Sequence, residues 1–509
     1  MQPGLGSRAP IVYATVFALF LASLGCAPPE PAAAPTAAPT TPPTRLRIAT
    51  SGDYAPFSVW PTSGAPSGFS VAVAQAFAAD QGLEIEWVRF RWPELASDLA
   101  AGRFDLALSG ITVRPERSEA GRFGLPLTTS GAVLLVPADA AIRTPAELDR
   151  PSRAIAVNAG GHLERVARRL FGAARIEAIP DNASVLDRLA LGRTAGGAGP
   201  PGVDAVLTDS LEAPLWSQAA KRPVRAIGPL TQDRKAAWLP RDRGDLARRL
   251  DRWLLRAEAE GRLDRLRSAY GLPEEATARP EAALLAKMDE RLSLMPAVAE
   301  TKAILGRPIE DRSREAHVLE AAIASVETAA RRAGQAPPAR SAIRALFGAQ
   351  IEAAKWIQEK TLESRPNPAA GPSADAREAA TRRLEAVLRP ALIDLGDQIA
   401  MLIVASTRDA AKAPAFASVA RAFRERDLPE PSLRAIHGAL VETLGAELAG
   451  RDELAGRDER GEGVEGRGGQ PRSTSRATAP AAIGSARQSA QRARAKGSPR
   501  IGISQATSR

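Results

Sequence analysis

At 509 residues the chain exceeds one domain, and a prior of about 150 residues per domain predicts two to four. With 44% hydrophobic and 25% charged residues it has enough apolar content for real cores, and its single cysteine excludes an intramolecular disulfide or a multi-cysteine metal site. The net charge of +10 does not indicate nucleic acid, because residues 466–509 hold nine Lys or Arg and no acid, which leaves the rest nearly neutral.

The N-terminal residues resemble an export signal. Arg8 precedes an apolar run over residues 11–24, and Gly25 leads to Cys26. The run is too short for the ~20 residues of a membrane span, so the pattern predicts a signal peptide over residues 1–25. A cysteine at this place resembles a bacterial lipoprotein signal, which implies an acylated Cys26 and a periplasmic protein anchored to a membrane. Residues 26–44, rich in Pro, Ala and Thr, predict an extended tether.

Residues 45–272 alternate between strand-like and helix-like stretches. The pattern predicts strands within 46–50, 83–90, 104–109, 132–137, 154–161, 176–182 and 204–209, and helices at 69–81, 92–101, 162–171 and 246–268. This alternation predicts an α/β domain with mostly parallel sheet, in which ligands bind at the carboxyl ends of strands. The stretch 132–137 is expected to cross to a second lobe, and 195–202 to form a flexible loop.

Two stretches have the features of anion sites. Ser109, Thr112 and Arg117 follow the strand at 104–109, and an arginine beside hydroxyls and free backbone N–H groups can hold a carboxylate. In the second stretch, Gly160 and Gly161 make a turn before a helix, where backbone N–H groups favour an anion. The alternative for the first stretch is a polar turn with its arginine in solvent.

After residue 272 the pattern becomes helical. Residues 280–446 show long amphipathic runs, interrupted at 306–308, 334–338 and 365–372, which predicts an all-α segment of several helices. Residues 450–509 combine Arg/Asp/Glu/Gly repeats with a basic Ser/Ala/Gly tail and are expected to be disordered.

The motifs of the first half resemble the periplasmic amino-acid-binding proteins, and more narrowly the periplasmic cyclohexadienyl (prephenate/arogenate) dehydratases. They are Gly52–Phe57, Arg91–Leu95, Ser109–Arg117, Val157–Gly161 and Thr208–Ala213. The binding-protein resemblance implies that Arg117 holds an α-carboxylate and Asp209 an ammonium group.

The dehydratase resemblance implies that Glu212 is the general acid. Trp92 and Asn158 would line the site beside the two glycines, and Lys235 would reach it. Hydroxide is a poor leaving group, so a buried neutral carboxylic acid makes chemical sense as the proton donor. The alternatives are an exposed helix-start acid for Glu212, a core role for Trp92 and a solvated Lys235. His162 stands where related dehydratases have Thr.

The helical half resembles the exported class of the all-helical chorismate mutases, in the motifs Glu290–Leu292, Lys302, Pro308–Glu315 and Phe347–Gln358. Arg291 and Lys302 are eleven residues apart, three turns at ~3.6 residues per turn, so they are expected to share a helix face. The resemblance implies that the substrate carboxylates are held by Arg291, Arg314 and Arg389. It implies that Lys302 and Gln358 donate to the ether oxygen. The acids Asp311 and Glu315 would meet the substrate hydroxyl or orient the cations. The alternative is a solvated basic helix face.

Together the halves predict an exported bifunctional enzyme that converts chorismate to prephenate, and then prephenate to phenylpyruvate or arogenate to phenylalanine. No cofactor, metal or nucleic acid is expected, and a homodimer through the helical half stays open. The alternative is an amino-acid receptor for a transporter fused to an active mutase. A weaker alternative is that one half is inactive and regulatory.

Overall fold

The computed structural model describes residues 45–190, 202–364, 371–408 and 413–445. Its strands are β1 Arg45–Thr50, β2 Asp53–Tyr54, β3 Ser58–Val59, β4 Glu84–Arg89, β5 Leu106–Ala107, β6 Arg122–Ser130, β7 Ala132–Pro137, β8 Ala154–Asn158, β9 Arg175–Ile179, β10 Ala205–Asp209, β11 Val224–Ile227 and β12 Asp233–Leu239. The expected signal peptide, the tether, most of the 195–202 loop and the tail lie outside the described residues.

The helices of the first half are α1 Phe69–Asp80, α2 Leu95–Ala100, α3 Pro115–Ala120, α4 His162–Leu170, α5 Asn182–Ala190, α6 Ala213–Ala219, α7 Gly244–Ala259 and α8 Arg262–Ala269. Those that follow are α9 Pro280–Ser293, α10 Met295–Ile304, α11 Arg312–Ala333, α12 Arg340–Glu363, α13 Ala374–Arg382, α14 Arg389–Arg408, α15 Phe416–Ala422 and α16 Glu430–Leu444. A π-helical turn, Arg383–Leu388, joins α13 to α14. None of the helices in these ranges is long and apolar enough to cross a membrane.

Lobe 1 is built on a sheet of order β4-β1-β5-β12-β6. Alternation along β1 buries Leu46 and Ile48 in one core and Ala49 in another on the opposite face, as the two-residue period of a strand requires. β1 runs parallel to β4 and β5, whereas β12 runs antiparallel to β5 and β6. The sheet is therefore mixed rather than mostly parallel.

Lobe 2 repeats this plan with the order β11-β7-β10-β8-β9, and two of its four pairings are antiparallel. The chain enters it between β6 and β7 and leaves between β11 and β12. At the entry, a Cβ on Gly131 would lie 2.2 Å from the Thr231 carbonyl oxygen, so the two crossings approach too closely for a side chain. The Thr231 hydroxyl accepts a hydrogen bond from the Ala132 N–H (2.9 Å).

The described residues from 280 onward form helices joined by short turns, and the predicted breaks at 306–308 and 334–338 lie between α10 and α11 and between α11 and α12. The third predicted break, at 365–372, lies mostly outside the described residues. The helix pairs of this segment that pack most extensively are α9 with α14, α11 with α14 and α12 with α16. α9 also lies against β6, and apolar residues of lobe 1 and of the helical segment share one continuous core. The expected class, a bilobal α/β protein followed by an all-α segment, is confirmed.

Four predicted elements differ in detail. The helix expected at 92–101 starts as a 3-10 turn, Trp92–Glu94, and the strand expected at 104–109 is only Leu106–Ala107. The helix expected at 246–268 breaks at Gly261, whose φ is +64°. A single helix through Arg291 and Lys302 is wrong: α9 ends at Ser293, and α10 restarts with Pro296, which lacks the N–H that a continuous helix needs.

Candidate active site

A cleft between the lobes collects the polar ends of their strands, as the carboxyl edge of an α/β sheet does. It is lined by Tyr54, Trp92, Gly110, Thr112, Arg117, Asn158, Gly161, His162, Leu163, Asn182, Glu212 and Lys235. Seven of these twelve were predicted site residues, so the structure brings most of the expected dehydratase site together.

Arg117 lies on α3, a helix that begins at Pro115 with the fixed φ suited to a first turn. Its side chain is buried, donates from Nη1 to the Thr112 carbonyl oxygen (3.2 Å) and lies 5.8 Å from the Trp92 ring centroid. Burial, together with the nearby Arg114 and Arg165, lowers the pKa of Arg117 well below its usual value. A buried cation whose neighbours are other cations favours an anionic ligand.

Arg114 strengthens this positive region. Burial lowers its pKa to about 10, and its Nε and Nη1 atoms are buried without a hydrogen-bond partner among the described residues. An unsatisfied buried donor costs about 1–3 kcal/mol, which an incoming acceptor would recover.

Glu212 immediately precedes α6 and is 3% exposed. Its Oε2 accepts from the Thr208 hydroxyl (2.6 Å) and its Oε1 from the Asn182 amide (3.1 Å). Burial raises its pKa to about 8, which the adjacent Asp209 reinforces and the Thr208 hydroxyl opposes. The carboxyl group is therefore mostly protonated at neutral pH, the state in which an acid can donate a proton.

Asp209 and Lys235 form a buried ion pair at the floor of the cleft, with Nζ 2.8 Å from Oδ2. Lys235 also donates to the Thr112 hydroxyl (2.8 Å) and lies 5.6 Å from the Tyr54 ring centroid. Asp209 accepts in addition from the Ser130 hydroxyl (2.8 Å). The carboxylate expected to hold a ligand's ammonium group is thus already neutralised by a lysine of the same chain.

The turn after β8 closes the cleft from lobe 2. Gly160 has φ +73°, and a Cβ there would lie 2.8 Å from the Pro93 Cγ of lobe 1. Gly161 and Asn158 line the cleft, the latter with its amide 3.5 Å from the Pro180 carbonyl oxygen.

Besides the Asp209–Lys235 ion pair, three further polar contacts join the lobes across the cleft. His162 Nε2 lies 2.9 Å from Asp233 Oδ1, and although burial opposes the change, His162 lowers the pKa of that acid. The Asn182 amide donates to the Asp53 carbonyl oxygen (3.2 Å). Arg165 pairs with Glu116 (3.3 Å) beside Arg117. The two lobes are therefore in direct contact at the site.

Ser109 is the one lobe-1 prediction that does not line the cleft. It is fully buried, and its hydroxyl contacts the Ser51 hydroxyl (2.8 Å), accepts from the Ser51 N–H (3.1 Å) and so fixes the loop after β1. Tyr54 and Asn182 line the cleft without having been predicted. Both follow strand ends inside motifs already noted in the sequence, and that position was the available signal.

In the helical segment, Lys302 belongs to a charged group with Asp311, Glu315 and Arg389. Its ammonium group donates to the Ile309 carbonyl oxygen (2.8 Å); burial lowers its pKa, while Asp311 and Glu315 oppose the change. Asp311 caps α11 by accepting from the Arg314 N–H (2.9 Å), and Glu315 accepts from the Asp311 N–H (3.2 Å). Arg389 pairs with Glu385.

Arg291 and Gln358 are buried with unsatisfied polar atoms. Burial lowers the pKa of Arg291 to about 10, and its Nη1 has no partner among the described residues. Gln358 donates to the Ala354 carbonyl oxygen (3.1 Å), one turn back as predicted, while its Oε1 is equally unpartnered. Arg314, in contrast, has an exposed side chain.

No cluster of three or more His, Cys, Asp or Glu residues able to hold a metal ion occurs in the described part of the chain. The fold and cleft define a two-lobed α/β protein of the solute-binding type, with a polar cleft between its lobes. Residues 46–273 match the bacterial extracellular solute-binding proteins, family 3, and the chain belongs to that family through this region.

Relatives in this family include both an enzyme and binding proteins. The cyclohexadienyl dehydratase of Pseudomonas aeruginosa is 35% identical over 222 residues, covering 43% of this chain and 79% of that protein. The L-cystine-binding protein TcyJ of Escherichia coli K12 is 27% identical over 170 residues, covering 33% of this chain and 60% of that protein.

A solved structure, the ancestral amino acid-binding protein AncCDT-1, described as a precursor of cyclohexadienyl dehydratase, is 28% identical. It covers 45% of this chain and 95% of its own, with a TM-score of 0.41.

Proposed function

We propose that the bilobal domain is a dehydratase acting on prephenate, and that the helical segment is a chorismate mutase that supplies it. The observation that carries the first part is Glu212, a carboxylic acid buried in the cleft with its pKa raised to about 8. A receptor needs only to bind, whereas an acid kept neutral beside a bound dianion can protonate it.

The reaction balances with one proton from Glu212. The proton goes to the ring hydroxyl of prephenate, and the C–O bond breaks to release water. The bond between the ring and its carboxylate also breaks, CO₂ leaves, and that electron pair completes the aromatic ring of phenylpyruvate. Glu212 is left as a carboxylate and recovers its proton from solvent. The enzyme must therefore donate one proton and hold two carboxylates.

The cations of the cleft suit the two carboxylates. Arg117 is buried and Arg114 beside it is half-buried, and no acid fully balances the two charges, which supports a ligand carboxylate at α3. Lys235 also lines the cleft; its charge is paired with Asp209, so it supports the second carboxylate as a hydrogen-bond donor rather than as a free cation. Holding a dianion in one orientation also lowers the entropic part of the barrier.

The Asp209–Lys235 ion pair favours a keto acid over an amino acid. Lys235 is bonded to the Asp209 carboxylate, which would otherwise meet the ligand's ammonium group. An amino-acid ligand would therefore place a second cation beside an ion pair whose negative charge is already neutralised. Prephenate carries a keto group where arogenate carries the ammonium. This supports prephenate as the substrate and weighs against the alternative, an amino-acid receptor for a transporter.

The proposal for the helical segment rests on its buried donors. Chorismate rearranges without acid, base or covalent intermediate, so a protein needs only to hold the dianion folded and stabilise charge on the ether oxygen. Arg291 keeps an unpartnered buried donor, Nη1, and Lys302 is held beside two acids. The unpartnered atom of Gln358 is the acceptor Oε1, so Gln358 would contribute by turning its amide N–H groups from the Ala354 carbonyl oxygen to the substrate. Arg389 and Asp311 belong to the same charged group, while Arg314 would have to reorient to contribute. A homodimer through this segment stays a proposal.

The family is extracellular by description, and we propose that export uses the signal peptide over residues 1–25, with a lipid anchor on Cys26. Mass spectrometry of the mature N-terminus from a membrane fraction tests the anchor. An unmodified Cys26, or cleavage elsewhere, would contradict it.

Product analysis from chorismate tests both halves. We expect the full-length protein to yield phenylpyruvate, Lys302→Ala to leave chorismate unconverted, and Glu212→Gln to accumulate prephenate. Control variants are Lys360→Ala, an exposed lysine paired within α12, and Glu86→Gln, an exposed acid of β4. If the wild-type protein gave no aromatic product from either substrate but bound amino acids tightly, the receptor alternative would replace the dehydratase.

A further inference from the structure

The helix that carries Arg117 is held by residues of the helical segment. α3 is only six residues long, and an isolated helix of that length has almost no stability in water. Its position therefore depends on tertiary contacts. Two of them come directly from beyond residue 280, and a third is made by Arg241, which is itself held by a residue of that segment.

The first contact lies directly after Arg117. The Ser118 hydroxyl donates to Glu290 Oε1 of α9 (2.8 Å), and both residues are buried. Glu290 is itself fixed by Lys287, whose ammonium group donates to Glu290 Oε2 (2.8 Å) and to the Phe123 carbonyl oxygen of β6 (3.0 Å). A fully hydrogen-bonded buried network of this kind has little freedom to move.

The second contact is a two-pronged ion pair. The carboxylate of Glu119 accepts from Arg383 Nε (2.9 Å) and Nη2 (2.8 Å), the planar geometry that makes Arg–carboxylate pairs directional. Arg383 opens the π-helical turn between α13 and α14, so the α3 helix is tied to a second element of the helical segment.

The third contact secures the end of α3. Arg241 Nη2 donates to the carbonyl oxygens of Ser118 (2.6 Å) and Gly121 (2.8 Å), at the end where helix carbonyls lack internal partners. The other nitrogen of Arg241, Nη1, pairs with Asp394 of α14 (2.5 Å), which also lies 3.5 Å from Arg122.

From this geometry we infer that the helical segment is a structural part of the bilobal site: Glu290 and Arg383 hold α3 directly, Asp394 holds it through Arg241, and together they position Arg117 for the substrate carboxylate. These three are positioning residues, since none of them lines the cleft. The inference rests on the proposed function for its kinetic readout and goes beyond it, because it gives the second half of the chain a role in the chemistry of the first.

Arg383→Ala is the test, because Arg383 is at the protein surface and its removal leaves the core intact. Arg382→Ala is the matched control, because the ion pair of this neighbouring arginine among the described residues is with Glu378, inside α13 itself. We expect Arg383→Ala to raise KM for prephenate about three- to tenfold, with kcat within about twofold, because a charge-assisted bond that positions a ligand is lost. The double variant Glu119→Arg with Arg383→Glu, which exchanges the two charges, should bring KM most of the way back to the wild-type value.

Hydrogen exchange of residues 115–121 in the full-length protein supplies a readout that needs no turnover. Exchange should be faster in Arg383→Ala and in Ser118→Ala than in Arg382→Ala. If Arg383→Ala left both the exchange rates and KM unchanged, the clamp would be overturned. It would also be overturned if kcat and kcat/KM fell equally and Tm was lower, because that result shows general destabilisation. If the wild-type protein had no activity on prephenate, the proposed function would fail, and exchange alone would decide on the clamp.

Discussion

Glu212 combines the two properties that a proton donor needs, access to the ligand and a neutral side chain at working pH. The largest cause of its raised pKa is burial, so the raised pKa reflects the enclosed position of Glu212 and not a single charged neighbour. The nearby Asp209 stays paired with Lys235, and the two adjacent acids therefore have different roles.

The pH dependence of dehydration follows from this pKa. An acid catalyst works while protonated, so kcat/KM, which reports the free enzyme, should be level below about pH 8 and fall about tenfold per pH unit above it, the pKa being about 8. Stopped or continuous assays of phenylpyruvate between pH 6 and pH 10 measure the profile. Glu212→Gln should lower kcat by about 10²–10⁴ and remove this descending limb.

Glu86→Gln, on the exposed edge strand β4, serves as the control and should keep the wild-type profile. A wild-type profile that kept rising through pH 9 would contradict Glu212 as the proton donor.

Lys235 should decide between keto and amino substrates. Lys235→Met frees the Asp209 carboxylate, which can then meet an ammonium group, so we expect the ratio of kcat/KM for prephenate over arogenate to fall at least about tenfold. Competition assays with both substrates measure the ratio directly. Lys221→Met, an exposed lysine of lobe 2 paired with Asp187, is the control. An unchanged ratio would remove Lys235 from substrate selection.

At the scale of elements, seven of the twelve described strands were predicted, and five were not: the short β2, β3 and β11 and the longer β6 and β12. β6 contains Gly124 and Pro126, which normally mark loops, and Pro126 is tolerated because the pairing with β12 is irregular there. β12 carries Asp233, Arg234 and Lys235, and charged residues of this kind indicate a surface loop until their buried partners are known. Asp233 and Lys235 are paired with His162 and Asp209, which are far away in sequence, so these charges can be buried in a strand.

The candidate site was predicted best where one motif supplies a whole strand end, as for Asn158 and Glu212. It was predicted least well where a role depends on a partner. Ser109 is bound by Ser51 in the loop after β1, a contact between residues 58 positions apart. The break between α9 and α10 was visible in Pro296, although the spacing of Arg291 and Lys302 suggested one continuous helix.

The turn between β8 and α4 has a conformational requirement that can be tested. Gly160→Ala combines a left-handed φ, which costs an L-residue roughly 1–2 kcal/mol, with a contact to Pro93 across the cleft. We expect Tm to fall and KM to rise several-fold more than in Gly172→Ala, where a Cβ meets nothing within 4 Å. Thermal unfolding and steady-state kinetics measure both effects. Equal behaviour of the two variants would show that the lobes do not close on this turn.

At the scale of the whole molecule, lobe 1 and the helical segment behave as one structural unit by their contacts. They share a continuous apolar core, and buried polar groups such as Lys287 and Gln398 donate from helices to the β6 carbonyl oxygen of Phe123. Asp251 of α7 accepts from the same Gln398 (2.8 Å). In the sequence, these charged and amide side chains resemble the solvent-exposed face of ordinary amphipathic helices. Hydrophobic periodicity therefore could not predict that they form the interface between lobe 1 and the helical segment.

A shared core predicts shared unfolding, because removing an anchor in one part lowers the stability of both. Leu284 of α9 is fully buried in that core, and Leu284→Ala should destabilise the protein by about 2–5 kcal/mol. Hydrogen exchange under rising urea should then show β6 of lobe 1 and α14 of the helical segment losing protection at the same lowered midpoint. Leu215→Ala, whose side chain is 40% exposed on lobe 2, should leave that midpoint within about 0.5 kcal/mol of wild type. If α14 opened early while β6 kept its full protection, the two parts would be independent domains, and the clamp on α3 would act only while the helical segment stayed folded.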